Sequence, residues 1–469
     1  MNDEELVFRF GIISDTQFPR ALESGSGTET AYGNQSQSEE NNNNLAKALR
    51  GDSELELVML NGDLTEFGHG SAFSSYDELG AYRRTYEGKL NRPLYFGLGN
   101  HDYANNIGNS FQNNCAIGMI KYMEGQQSIW TPENYSTDFH VKHFPATTFT
   151  LGYEKRSGSY AYSFDYKGVH FVQLNNYPFY KVDEFGDDWN SYWRIDPSYP
   201  GWLESDLWQN RGKPIILNLH DPSEHWGPGS GQVPEDKRLL DKFFALLRST
   251  GVGAVFSGHY HADLGRQVYW NHWGLNAAEI PIFSSGSPIY NHFLKGGVTR
   301  RSDGSFFLAV SQCGSEGGND RTIKAEDPVR LPHESRGMSL SISESGQICG
   351  QPRDSHNPDQ SFANGLPQWD GCFRICSSYH LFALSVENGN LSARSPDRQD
   401  TAQDISILPA NDGSVSLVFG HNVESLVALA MDDAGEVTVK ALDSESHEQK
   451  FEIISQQEDG SFGIRRIWS

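Results

Sequence analysis

Long apolar runs are missing from the 469 residues of this chain. The longest candidates, Val423 to Met431 and Pro214 to Leu219, fall well short of the roughly 20 residues a spanning helix needs, so no membrane span is expected. Basic residues are scarce: 37 Lys+Arg against 61 Asp+Glu leave a formal net charge of −24. Nucleic-acid backbones are bound by cations that release counterions, so duplex nucleic acid is not an expected partner. Cysteine is sparse, with five residues at 115, 313, 349, 372 and 376 and no metal-type CxxC pair. An odd, sparse set reads as free thiols in a reducing compartment. Before Leu6 there is no basic n-region and no small-residue cleavage site. A cytoplasmic location is therefore favoured, with export by another route left open. What is present is an apolar fraction of 37% with 12% aromatics, enough for a buried core and against wholesale disorder.

The first 300 or so residues alternate two kinds of pattern. Leu6–Ile13, Leu55–Leu60, Leu94–Leu98, Val169–Leu174, Pro214–Leu219 and Val252–Phe256 are short apolar runs bounded by Gly, Pro, Asn or Asp, and read as buried strands. Before the last of them, Pro234, Glu235 and Asp236 start a helix whose apolar face is Leu239, Leu240, Phe243, Phe244, Leu246 and Leu247, and Gly251 ends it. Strands alternating with helices predict an α/β sheet covered by helices. Three insertions interrupt the pattern. Residues 18–44 are polar and low in complexity and read as a mobile loop. Residues 103–150 are irregular, with a short helix near Cys115 to Met123. Residues 177–202 hold nine aromatics and read either as a private small core or as a wall of a substrate site.

Beyond about residue 335 the helical pattern stops and short alternating strands take over. Leu340–Gly346, Leu384–Gly389 and Leu429–Gly435 form a weak repeat whose glycines are 43 and 46 apart. Ile405–Ser414 recurs as Phe451–Ser461, and the Asp-Gly pairs Asp412-Gly413 and Asp459-Gly460 read as hairpin turns. A strand repeat of this length calls for a closed or radial β architecture. Residues 335–469 resemble a β-trefoil, of the fascin type rather than the ricin type because no Gln-x-Trp triplet is found.

Chemistry-bearing residues cluster after the strands. Asp15-Thr16-Gln17, Asn61-Gly62-Asp63, Gly99-Asn100-His101-Asp102, His220 and Gly258-His259-Tyr260-His261 each follow one of the apolar runs. In open α/β folds, ligands bind beyond the carboxyl ends of the strands, so the five loops should converge. Carboxylates, amides and imidazoles without thiolate suit Mn²⁺, Mg²⁺, Fe or Zn²⁺. A lone Gly-Asp is ordinarily a turn. The ordered set of five is hard to obtain by chance.

With these motifs, residues 6–300 resemble the calcineurin-like metallophosphoesterase family, whose pattern is Asp-x-His, Gly-Asp, Gly-Asn-His-Asp/Glu, a lone His and Gly-His-x-His. The resemblance implies an α/β fold, a two-sheet sandwich flanked by helices over residues 1–325, ahead of the all-β domain. It implies two divalent metal ions and a phosphate-ester substrate, monoester or diester. One metal would take Asp15, Gln17, Asp63 and His261, the other Asp63, Asn100, His220 and His259. It makes His101 the residue that protonates the leaving oxygen and Asp102 its hydrogen-bonding partner. Two departures stand out. Gln17 replaces a His, which leans the site toward Mn²⁺ or Mg²⁺. Glu66 stands where purple acid phosphatases place a Tyr ligand, so a ferric purple chromophore is not expected. Arg194 and Arg266 are candidates to clamp a phosphate, although such residues are more often surface salt-bridge partners; Trp226, with Glu224 and His225, could reach substrate, and loop filler fits these three equally. A non-catalytic binding protein on this scaffold is the alternative reading, its all-β domain recognising a carbohydrate or protein partner.

Overall fold

The computed structural model describes residues 4–23, 27–31, 34–68, 76–102, 114–147, 152–185, 191–226, 237–271, 280–302, 304–332, 338–352, 362–364, 375–377, 382–387, 389–397, 400–409, 414–419, 426–432, 436–443, 446–455 and 462–466. It divides into two compact units, Met1–His333 and Glu334–Ser469.

The first unit carries two large mixed sheets. One runs Arg321–Ala325, Phe306–Gly314, His292–Arg301, Glu4–Ile13, Leu55–Asn61, Leu94–Gly97, with Val329–Leu331 also paired to Phe306–Gly314. The other runs Gly265–Gln267, Ile282–Ser284, Val252–Ser257, Ile215–Asn218, Val169–Gln173, Tyr162–Tyr166, Glu133–Thr137. In each, the strands that lead into the motif loops are parallel to one another. Parallel pairing points their carboxyl ends the same way and brings their loops together. The sheets share one apolar core. Phe8 and Phe10 of the first meet Phe171 of the second, and Phe10 meets Phe256 edge-on at 5.8 Å. Among the described residues, five helices accompany them: α1 Gln35–Gly51, α2 Glu78–Tyr86, α3 Asn114–Gln127, α4 Trp202–Asn210 and α5 Lys237–Thr250. None of the described helices is long and apolar enough to cross a membrane. The expected first turn of α5 at Pro234–Asp236 lies outside the described residues.

The insertions differ from expectation. The polar segment 18–44 carries regular structure among its described residues: Ala21–Leu22 pairs with Glu29–Thr30, and α1 begins at Gln35 with Asn34 as its cap, accepting a 3.0 Å bond from Gln37 N. Its asparagine run is not solvent filler. Asn42, 1% exposed, donates to the Thr16 carbonyl at 2.9 Å and accepts from Tyr86 Oη at 2.8 Å. Tertiary hydrogen bonds thus hold polar residues in a helix that composition disfavours. Parts of the other two insertions pair, together with Tyr153–Ser157, into one small sheet, Val182–Phe185, Ser191–Ile195, Tyr153–Ser157 and His140–Phe144. The aromatics favour the core reading: Tyr177, Phe179, Tyr180, Trp193 and Tyr199 are buried in the main core, and Phe179 and Tyr199 pack on Phe243 of α5.

The second unit is strand-rich. Its hairpins include Met338–Ile342 with Ile348–Pro352, Ala383–Glu387 with Asn390–Arg394, Ile405–Pro409 with Val415–Phe419, Val427–Met431 with Val437–Ala441 and Phe451–Ser455 with Phe462–Arg466. Leu340, Leu384 and Leu429, the first residues of the repeat, are fully buried in one core with Ile405 and Phe451. The expected Asp-Gly turns lie outside the described residues. Cys313, Cys349 and Cys376 are free thiols.

Candidate metal centre

The five motif loops meet. Backbone bonds bind the first loop to the second, Asp15 N to Gly62 O at 3.1 Å and Gln17 N to Asp63 O at 2.9 Å. His259 N donates to Asp15 Oδ2 at 2.9 Å, and His101 N donates to Asp63 Oδ1 at 2.9 Å. Ligand atoms of Asp15, Asp63 and His220, all buried, lie within 4.8 Å of one another. Asn100 Oδ1 is 3.0 Å from His220 Nε2 and 3.1 Å from His259 Nδ1. Asp63 Oδ2 is 3.2 Å from His220 Nε2 and 3.1 Å from Gln17 Nε2. Asp63 therefore stands between the Gln17 side and the Asn100 side of the cluster.

The histidines share a pattern. Each has one ring nitrogen held by an outer acceptor and the other turned to the centre. His220 Nδ1 donates to the Asn61 carbonyl at 2.7 Å, and His259 Nε2 to Glu224 at 2.5 Å. His261 Nδ1 donates to Glu29 at 2.6 Å while its Nε2 faces Asp15 Oδ1 at 3.3 Å. His101 Nδ1 donates to the Glu66 carbonyl at 2.9 Å, and its Nε2 is 3.9 Å from Asp63 Oδ2. Such outer bonds fix tautomer and ring angle for a metal or a proton.

Strain marks the same residues. Asp15, Gln17, Asp63 and His259 all have positive φ, at 52°, 28°, 54° and 73°. That region is costly for side chains with a Cβ and persists where surroundings enforce it. Three glycines make the room. A Cβ on Gly62 would stand 2.7 Å from the His220 ring, one on Gly258 2.6 Å from Ser14, and one on Gly99 would overlap the Asp63 carboxylate.

The donor set fits divalent cations. Gln17 Oε1 is a buried oxygen with no hydrogen-bond donor, and Asp15 Oδ1 has only the His261 ring, at 3.3 Å, an arrangement disfavoured unless something positive completes it. Electrostatics agree. Burial opposes a charge on His220, but Asp63 beside it outweighs burial and lifts its pKa to about 10. Burial likewise opposes His261, and Asp15 with Glu29 raises it to about 10. Burial alone would raise Asp63, yet His220 and His101 hold it well below the carboxylate range. The cluster is arranged to surround positive charge.

Asp102 departs from expectation. It does not bond the His101 ring. Its carboxylate accepts from the backbone N–H groups of Leu64, Thr65 and Gly99, each at 3.0 Å, and from Thr65 Oγ1 at 3.1 Å. It staples the second loop to the third. Burial, then the nearby Asp63 charge, raises its pKa. The residue bound to the His101 ring is Glu66, three positions after Asp63, a spacing legible in the sequence. Glu29 lies in the segment read as a loop, and no local signal pointed to it. Of the clamp candidates, Arg194 pairs with Asp196 at 2.7 Å on the surface, and Arg266 is exposed on the edge strand Gly265–Gln267. Trp226 ends a short 3₁₀ turn, Glu224–Trp226, and its side chain lies outside the described residues. His225 instead donates to Asp221 at 2.7 Å.

The sequence pattern of the calcineurin-like phosphoesterase family matches residues 8–263. The chain belongs to that family. Among solved structures, a purple acid phosphatase from yellow lupin (Lupinus luteus) seeds is similar at 14% identity and a TM-score of 0.40, over 72% of this chain and 55% of that one. The chain thus spans about half the length of that enzyme. The cytolethal distending toxin of Haemophilus ducreyi is similar at 13% identity and a TM-score of 0.20, over 32% of this chain and 92% of that one. No curated protein matches the chain.

Proposed function

We propose that the chain is a metal-dependent phosphohydrolase that uses two divalent cations to cleave a phosphomonoester or phosphodiester with water. The observation that carries this reading is the convergence of Asp15, Gln17, Asp63, Asn100, His220, His259 and His261, four of them on left-handed backbone. Asp15, Gln17, Asp63 and His261 would hold one cation, and Asp63, Asn100, His220 and His259 the other. Mn²⁺ suits the Gln17 oxygen best, with Mg²⁺, Fe and Zn²⁺ as alternatives. When bound, the pair supplies Lewis acidity and a nucleophilic water near neutral pH. The chain's own residues do the rest. Asp63 offsets charge on both sides. His101, its Nδ1 held by the Glu66 carbonyl, keeps Nε2 directed to the centre to protonate the leaving oxygen. Metal content of the purified protein, with hydrolysis of p-nitrophenyl phosphate against bis-p-nitrophenyl phosphate under Mn²⁺, Mg²⁺, Zn²⁺ or Fe²⁺, tests the reading. No metal and no turnover of either ester, cyclic nucleotide or pyrophosphate would overturn it in favour of the binding-protein alternative.

We read Glu334–Ser469 as a β-trefoil whose role is to recognise a carbohydrate or protein partner. A repeated buried glutamine supports the reading. Gln403 accepts from Asp397 N at 3.0 Å and donates to Ser395 O at 2.9 Å; Gln449, 46 residues on, accepts from Asp443 N at 2.9 Å and donates to Ala441 O at 2.8 Å. Asp354 and Gln360 have the same spacing one repeat earlier, outside the described residues. Gln360, Gln403 and Gln449 each stand two positions before an apolar residue, Phe362, Ile405 and Phe451. That is a relaxed form of the Gln-x-Trp triplet found lacking above, and it weakens the argument against the ricin type. Glycan-array binding by the full chain tests the carbohydrate assignment, and a blank array would leave a protein partner as the reading.

A further inference from the structure

The two flanks of the centre are joined by one side chain. Arg20, three residues after Gln17, sits between two carboxylates. Its Nε and Nη2 donate to both oxygens of Glu66, at 2.7 and 2.6 Å, a fork that fixes the carboxylate in plane and angle. Its Nη1 reaches Glu29 Oε2 at 3.4 Å. Glu29 Oε2 is the oxygen that accepts from His261 Nδ1 at 2.6 Å, and Tyr290 Oη holds the other oxygen at 2.9 Å. Glu66 presents its carbonyl to His101 Nδ1 at 2.9 Å and its carboxylate Oε1 at 3.5 Å from the same nitrogen. A continuous set of polar contacts therefore runs His261, Glu29, Arg20, Glu66, His101. Its ends are a ligand of one cation and the group that meets the leaving oxygen.

The backbone keeps Arg20 in this place. Arg20 N donates to Gln17 O at 2.6 Å, and Glu66 N donates to Phe18 O at 3.0 Å. The Arg20 side chain is 20% exposed, and that of Glu66 only 2%. Without the guanidinium, Glu66 would keep a buried carboxylate with only the His101 ring beside it and Glu29 would lose one of its anchors. Lysine could neutralise one carboxylate but could not fork onto Glu66 and reach Glu29 together.

We infer that Arg20 is a positioning residue that sets the His261 and His101 rings at once, coupling metal affinity to leaving-group protonation. The inference rests on the hydrolase reading above. Its test has three readouts on the full chain: Mn²⁺ titration of the metal-free protein, and kcat and KM for a p-nitrophenyl ester and for the matching phenyl ester. Phenolate is the poorer leaving group and needs the proton more. The expected result for Arg20→Ala is Mn²⁺ affinity lower by about 10–100-fold and a kcat loss at least roughly ten-fold larger on the phenyl ester than on the p-nitrophenyl ester. KM at saturating Mn²⁺ should stay close to that of the wild type. Glu29→Gln should lower Mn²⁺ affinity alone, and Glu66→Gln should steepen the leaving-group dependence alone. If Arg20→Ala fails to fold, Arg20→Lys with the two single-carboxylate variants carries the same comparison. Arg20 variants that fold with unchanged Mn²⁺ affinity and unchanged leaving-group dependence would overturn the inference. A wild-type chain that neither binds Mn²⁺ nor turns over either ester would instead sink the hydrolase reading on which it stands.

Discussion

Two clusters of imidazole and carboxylate are buried in the first unit, and they are built on opposite plans. Around His170, Asp165 Oδ1 lies 2.8 Å from Nδ1 and Asp206 Oδ2 3.0 Å from Nε2. The remaining oxygens are taken as well, by Lys213 at 2.7 Å and Asn134 at 2.6 Å on Asp165, and by Ser163 at 2.6 Å on Asp206. None of the three residues has positive φ. Around Asp63, four residues are forced into the left-handed region, Gln17 Oε1 has no donor, and Asp15 Oδ1 has only the His261 ring at 3.3 Å. Residue type is the same in both places. What separates a site from a structural ion cluster is unmet coordination held in place by strain. A satisfied cluster stabilises the fold, whereas a strained one is stabilised by what it binds.

The largest test of that difference is Asp63→Asn. Hydrolysis should fall by more than the roughly 100-fold upper range of outer-partner changes, because both cation positions lose their shared anion. The thermal midpoint of the metal-free protein should also fall, since His220 loses the carboxylate beside it, but by less than in the His170 variant, because an Asn at 63 still offers an oxygen to the His101 N–H. A fall as large as that of His170→Leu would erase the distinction between the clusters.

His170→Leu should do the reverse. It leaves Asp165 and Asp206 buried without their shared partner, at a cost of about 3–5 kcal/mol in stability. Denaturant unfolding measures this, and kcat per folded molecule should be unchanged. A large loss of specific activity in folded His170→Leu would mean the second cluster serves the chemistry.

Next in size is the response to cation. At about 100 times its dissociation constant, Mn²⁺ should stabilise the wild type by roughly 2.7 kcal/mol per site. His170→Leu should show the same increment from a lower base and Asp63→Asn little or none. Calorimetric scans with and without chelator read all three.

Much of the candidate centre is legible in the sequence, for a physical reason. Ligands placed at strand ends leave short motifs bounded by Gly, and the glycines at 62, 99 and 258 turn out to be sterically required by His220, Asp63 and Ser14. The strands were legible because buried parallel strands are continuous apolar runs. What escaped was long-range. Glu29 meets His261 across 232 residues of sequence, and nothing in its neighbourhood marks it. Asn41 and Asn42 read as low-complexity filler because an asparagine that bonds a distant carbonyl looks locally like one facing water. Asp102 was misassigned to the His101 ring because adjacency in sequence suggested contact, whereas its carboxylate turns back to the N–H groups of Leu64, Thr65 and Gly99.

The smallest expected effect separates the clusters by pH. Burial lowers the His170 pKa, but Asp165 and Asp206 outweigh it and raise the value above that of a free imidazole. The stabilisation it gives is fully present below the unfolded value, about 6.5, and is lost as pH rises through the higher folded value. Asp165 acts in the opposite sense. Burial raises it, but His170 and Lys213 hold it well below its ordinary value, so its contribution is present above about pH 4 and lost as pH falls through the depressed one. The cluster is therefore most stabilising between about pH 4 and 6.5. With metal-free protein, the difference in unfolding free energy between wild type and His170→Leu should be largest in that window and shrink toward alkaline pH. The other histidines are common to both proteins and cancel in the difference. A difference that stayed flat from pH 5 to 9 would show that folding leaves the His170 pKa unshifted, and the claim that this cluster is a satisfied ion network would fall with it.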